Sequence, residues 1–170
     1  MKKTIRLLCV FLFSLQINQC LAQNENKINW LTWEQILEKY KEKPRKILLY
    51  FEIKDSKTYQ KTDSILAISS IKNYINDNFY TVKLTSYAPL SLGKGKQIFF
   101  ERKPSIQNGC SIYSSNPVLF TFLDENLDII GSLQGNKDPK EFALFVKYYG
   151  SDASAKMPFP KFEKSEKRHR

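Results

Sequence analysis

The chain reads as an α/β protein with a mixed central sheet of about four strands and helices on both faces. Three observations predict it. Two β-forming runs, residues 46–52 and 79–85, are separated by two stretches that suit helix, which makes a strand–helix–strand unit. A second pair of runs, 118–123 and 127–133, is joined by the turn Asp124-Glu125-Asn126, which makes a hairpin. Asp138-Pro139-Lys140-Glu141 then opens a helix that carries Phe142, Phe145, Val146 and Tyr149 on one face.

The elements follow in order. Ile28-Asn29-Trp30-Leu31 is a short entry segment. Thr32, with Gln35 three residues on, is a capping box, and Ile36, Leu37 and Tyr40 continue an apolar face until Pro44 stops the helix. Trp30 and Trp33 are simplest as core anchors. The near-continuous apolar run 47–51 suits a strand covered on both faces. Helix is expected over 59–67 and 69–78, broken near Ser69-Ser70, with Ile71, Tyr74 and Ile75 as a stripe. The alternating 79–85 is the next strand. Residues 86–115 are the least regular: a short helix is expected over 97–103, ended by Pro104, and a turn at Asn108-Gly109 just before Cys110. Gly93-Lys94-Gly95-Lys96 lacks the spacing of a phosphate loop and reads as a basic turn. After the hairpin and the final helix, Gly150 is the expected stop.

At 170 residues there is room for one domain with a real core. Residues 1–22 read as a signal peptide. MKKTIR is basic, LLCVFLFSLQI is apolar but too short to span a bilayer, and Cys20-Leu21-Ala22 precedes a mature start at Gln23. An uncleaved anchor is a minor alternative, and Gln19 is a poor fit to lipidation at Cys20. The expected organisation is therefore signal 1–22, domain 23–150 and a polar, basic, disordered tail 151–170. The protein is expected in a periplasm or secreted.

Loss of Lys2, Lys3 and Arg6 lowers the net charge from +10 to about +7, which favours solubility and weak attraction to anionic surfaces. It does not imply nucleic acid. The tail, with Glu163 and Glu166 among its basic residues, offers contact with a membrane surface or none. Cys9 and Cys20 leave with the signal, so Cys110 remains alone and no internal disulfide can form. The single histidine, His169, lies in the tail. A Ser-His-Asp or Cys-His centre in the body is thus excluded, as is an ordinary Cys/His zinc site, and no metal or cofactor is expected.

The order of elements, with Trp30, Lys43-Pro44, residues 47–51, Tyr74-Ile75-Asn76-Asp77-Asn78-Phe79, Val82-Lys83, Asn116-Pro117 to Asp124, Gly135 and 139–148, resembles the exported thioredoxin-related proteins of bacteria. The resemblance spans about 28–149 and implies a thioredoxin-like fold. It also implies a W-C-x-x-C-K loop after the first core strand, and there the sequence departs. Both cysteine positions fall on Ser56 and Tyr59, or on Asp55 and Thr58 with one residue of slack. Tyr50 stands where many relatives carry a buried acid. Dithiol exchange needs one thiolate to attack and a second thiol to release the mixed disulfide, so this loop cannot perform it.

What the resemblance leaves is a binding surface: Asp55, Ser56, Lys57, Thr58 and Tyr59 at a helix N-terminus, with Asn116 and Pro117 as the family's cis-proline edge. The expected partner is an extended segment of another envelope or secreted protein. An equally weighted reading is a decayed site whose polar residues only cap the helix. A single-thiol enzyme acting through Cys110 is the alternative function, set against Cys110 as a buried, inert thiol. A carboxylate pair of Glu52 and Asp55 carries little weight among so many lysines.

Overall fold

The computed structural model describes residues 27–52, 58–85, 90–93, 96–101, 110–113, 118–135 and 137–168. The entry segment forms β1 (Trp30–Leu31) and leads into helix α1 (Trp33–Glu42). Strand β2 (Ile47–Glu52) is followed by α2 (Thr58–Leu66), α3 (Ser69–Asn78) and β3 (Tyr80–Leu84). Strands β4 (Leu90–Gly93), β5 (Lys96–Glu101) and β6 (Cys110–Tyr113) come next. The hairpin β7 (Val118–Leu123) and β8 (Ile129–Gln134) leads to helix α4 (Pro139–Gly150). Two further helices, α5 (Ala153–Lys156) and α6 (Phe159–Arg168), complete the order.

The central sheet has the order β1-β3-β2-β7-β8. Strands β1, β3 and β2 are parallel, while β7 runs antiparallel to β2 and β8 antiparallel to β7. The four expected strands are β2, β3, β7 and β8. The entry segment adds a fifth, because Trp30 and Leu31 register with Thr81 and Val82. One side chain locks this edge to the helix layer. Asn76 of α3 accepts from the Asn29 N–H (3.0 Å) and donates to the Lys27 carbonyl (3.1 Å), while the Thr81 hydroxyl donates to Asn29 O (2.6 Å). A lone two-residue edge strand holds few ladder bonds, so these side-chain bonds do much of its anchoring.

Strand β2 is buried on both faces, as its apolar run requires. Leu48 and Tyr50 point to one face, where they join Ile65, Leu66, Ile71 and Ile75 of α2 and α3 and Phe142 and Val146 of α4. Tyr50 stacks on Phe120 (4.7 Å, 12°) and lies 5.7 Å from Trp30. Ile47, Leu49 and Phe51 point to the other face, with Ile36 of α1, Val82, Leu119, Leu123 and Ile98.

Ile98 corrects the sequence reading. A helix is expected over 97–103, but residues 96–101 form strand β5, the middle of a second, three-stranded sheet with β4 antiparallel and β6 parallel to it; 102 and 103 lie outside the described residues. Its KQIFFE run is β-forming, and the full burial of Ile98 against the second core face decides the matter. Trp33 fastens this excursion: its indole N–H donates to Ser91 O (2.8 Å).

The hairpin differs by two residues from expectation. Asp124 Oδ1 accepts from the N–H groups of Asn126 and Asp128 (2.8 and 2.9 Å), and Leu127 turns the chain at φ 63°, so β8 starts only at Ile129. A leucine there costs about 1 kcal/mol of left-handed strain; its side chain packs on the second core face, which offsets it. Gly150 does not act as a left-handed stop. The C-cap of α4 is Ser151, in extended backbone. Glycine is needed at 150 for space, since a Cβ there would lie 2.7 Å from Tyr74 Cε1 and 3.0 Å from the Phe79 ring.

The expected disordered tail is instead folded to Arg168. Helix α6 buries Phe162 against Leu144 and Tyr148 of α4, and Phe159 stacks on Phe145 (4.1 Å, 2°). The Tyr148 hydroxyl donates to Met157 O (2.8 Å). Low average hydropathy hid two aromatics three residues apart, which on a helix share a face.

Candidate functional site

The parallel strands β1, β2 and β3 all finish at one end of the sheet. Helices α1 and α2 begin there, and β7 enters from it. The register is specific: Glu52, the last residue of β2, pairs with Val118, the first of β7. The chain therefore leaves β2 beside the point at which it enters β7. Strand ends that meet next to helix N-termini are where an α/β sheet places a site, because free N–H groups and the positive dipole ends converge. The start of α1 is closed by its capping box, with Gln35 N donating to Thr32 Oγ1 (3.2 Å) and Thr32 N to Gln35 Oε1 (2.9 Å).

Of the residues the sequence nominates, Thr58 and Tyr59 are the first two of α2. Asp55, Ser56, Lys57, Asn116 and Pro117 lie outside the described residues, but Glu52 and Val118, which adjoin the two segments, are neighbours in the sheet. Cys110 is elsewhere. It opens β6 in the second sheet, in register with the buried Ile98. Beneath the site, the position that the resemblance assigns to an acid is held by Tyr50, fully buried, with Lys83 Nζ 5.3 Å from its ring centroid. An aromatic cluster occupies that position. Among the described residues no group of three or more His, Cys, Asp or Glu could hold a metal, and no helix is long and apolar enough to cross a membrane.

The opposite end of the sheet carries a residue that sequence reasoning passed over. Lys46 is buried, and its ammonium donates to Ser151 O (2.9 Å), Gly150 O (3.4 Å) and Asp152 Oδ1 (3.3 Å), with Glu125 at 4.0 Å. It neutralises the C-terminal end of α4, where unsatisfied carbonyls and the negative dipole end accumulate. A pocket of about 230 Å³ opens beside it, lined in part by Asp124, Ile130 and Ser154. With every proton of Lys46 directed to protein oxygen, the pocket is a by-product of this clamp. Only a Lys beside a strand start hinted at it, and that is too common a pattern to be read.

Perturbed ionisation also lies away from the sheet end. Burial lowers the Arg45 guanidinium from its usual range, partly opposed by Tyr80 and Asp77; Arg45 donates to Asn76 O (2.8 Å) at the end of α3. Burial raises the phenols of Tyr74, with a contribution from Glu166, and Tyr149, with one from Tyr148. These groups serve packing.

The layers, strand order and capped helices define a thioredoxin-like fold. A solved structure similar to the chain agrees: a thioredoxin-fold protein from Helicobacter pylori aligns at a TM-score of 0.54 with 10% identity, over 75% of this chain and 87% of that one. No protein-family model matches the chain, and no curated protein matches its sequence.

Proposed function

We propose that the protein is an exported, non-redox member of the thioredoxin-fold class that holds an extended segment of another envelope protein. The contact would be made by the loop of Asp55, Ser56, Lys57, Thr58 and Tyr59 and by the Asn116-Pro117 edge. The single observation that supports this reading is the Glu52–Val118 register, which makes the residues bordering the two segments neighbours in the sheet. Extended-chain binding at such an edge uses main-chain hydrogen bonds and needs no thiol. The loop sequence supplies no cysteine in 53–57, which fits binding without exchange.

The test is affinity capture from a native envelope extract with the parent chain, Pro117→Ala and Lys57→Glu. The expected result is a partner retained by the parent and lost in both variants, with Cys110→Ser without effect. Capture insensitive to both substitutions, or turnover in insulin reduction that disappears in Cys110→Ser, refutes the reading.

A further inference from the structure

Helix α6 has two chemically opposite sides. Phe159 and Phe162 face α4, and Glu166 leans the same way to reach Lys147 (3.4 Å). At 100° per residue, Lys161, Lys164 and Arg168 occupy positions i, i+3 and i+7 and project from the side away from that contact. All three are exposed. Among the described residues none of the three has an ion-pair partner; the basic residues nearby that do are Lys167, with Glu163 at 2.8 Å, and Lys156, with Asp152 at 3.9 Å. The stripe is about 10 Å long, convex and backed by folded protein. The nearby groove of about 400 Å³ lies on the other flank, where Glu141, Glu163 and Glu166 make it acidic.

We infer that this stripe docks the protein on an anionic phospholipid surface. Charge complementarity carries the choice of occupant. Three exposed cations on a convex helix face, without an ion-pair partner among the described residues, match a surface of headgroup phosphates, whereas a small anion would need an enclosing pocket. Single-stranded nucleic acid fits less well, because the helix's aromatic side chains are taken up by α4 and none is left to stack on bases. The apolar side stays docked, so binding is electrostatic and shallow, without insertion of α6 into the acyl layer.

The experiment is sedimentation of the full chain with vesicles of phosphatidylcholine alone and of roughly equal parts phosphatidylcholine and phosphatidylglycerol. Binding is expected only to the anionic vesicles and should fade as salt is raised. Each basic residue at such a surface contributes about fivefold in affinity, so the combined Lys161→Gln, Lys164→Gln, Arg168→Gln variant should bind roughly a hundredfold more weakly. The set Lys39→Gln, Lys41→Gln, Lys43→Gln removes the same charge elsewhere and should change binding little. Far-UV circular dichroism checks that both variants fold. Equal weakening by the two sets overturns the inference, as does equal binding to neutral vesicles. Displacement from anionic vesicles by a stoichiometric DNA duplex, lost with the same three residues, would transfer the stripe to nucleic acid and overturn it too.

Discussion

Phe162→Ala tests whether the C-terminal helices belong to the fold. Phe162 is 8% exposed and lies 5.4 Å from the Tyr148 ring, in a cluster with Leu144 that is separate from the two faces of the central sheet. Truncating a buried Phe to Ala costs about 3–5 kcal/mol in a continuous core. Here the cluster is small and at the surface, so neighbours can close in and water can enter, which places the loss at about 2–3 kcal/mol. The loss also has a ceiling. Once α5 and α6 undock, the rest of the sheet no longer feels the substitution, so the effect on global stability cannot exceed the free energy of docking. Phe159 stacked on Phe145 and the Tyr148–Met157 hydrogen bond remain to resist undocking. The measurement is amide hydrogen exchange on α6 alongside urea denaturation. Protection of the α6 amides should fall by roughly 30- to 150-fold, while the amides of β2 and β7 change less. If α6 protection stays within a factor of two of the parent, the tail is not held by this contact and the account of its folding fails.

Other perturbations probe the clamp, the sheet and the phenols. Lys46→Met keeps the aliphatic stem and removes the charge from three oxygens at the end of α4, and urea denaturation should show a loss of about 1.5–3 kcal/mol; a loss below about 0.5 kcal/mol would mean that water replaces the ammonium at no cost. Gly131→Ala drives a Cβ into the Tyr149 ring, which Phe122 backs at 4.5 Å, so overpacking should cost about 1–3 kcal/mol in the same assay, and a neutral result would show that the ring has room to move. Tyr74 and Tyr149 have phenol values raised in the folded state, so folding favours their protonated forms. Their contribution is full below the unfolded value of about 10 and is lost as pH rises through the folded values. Thermal melts should show Tyr74→Phe less sensitive than the parent above about pH 10, and identical profiles would exclude the phenol as a source.

The helices of the main body were legible because their punctuation is local. The Thr32–Gln35 box, the Asp138-Pro139 start and the stop before Pro44 all lie where the structure has them, with Asp138 Oδ1 accepting from the N–H groups of Lys140 and Glu141. The alternation in 79–85 and the apolar run in β2 likewise announced a strand with a mixed environment and a strand covered on both sides. The candidate site was legible in a narrower sense. Chain order located a strand-to-helix loop and a proline before a strand, while the pairing of the strand ends that border them, Glu52 with Val118, is a matter of register between residues far apart in sequence.

By itself, then, the amino-acid order determined the α/β class, the sheet's principal strands and the absence of a dithiol from the loop after β2, since each depends on residue chemistry or on spacing within one segment. Tertiary structure decided what depends on a remote partner. Residues 96–101 are a strand because Ile98 fills the second core face. Gly150 is small because Tyr74 and Phe79 lie against it. Lys46 is buried because the end of α4 needs a cation. The tail is helical because α4 offers Leu144, Phe145 and Tyr148 to its two phenylalanines. In each case burial against a distant element outweighs a local preference that is worth only a few tenths of a kcal/mol per residue, about.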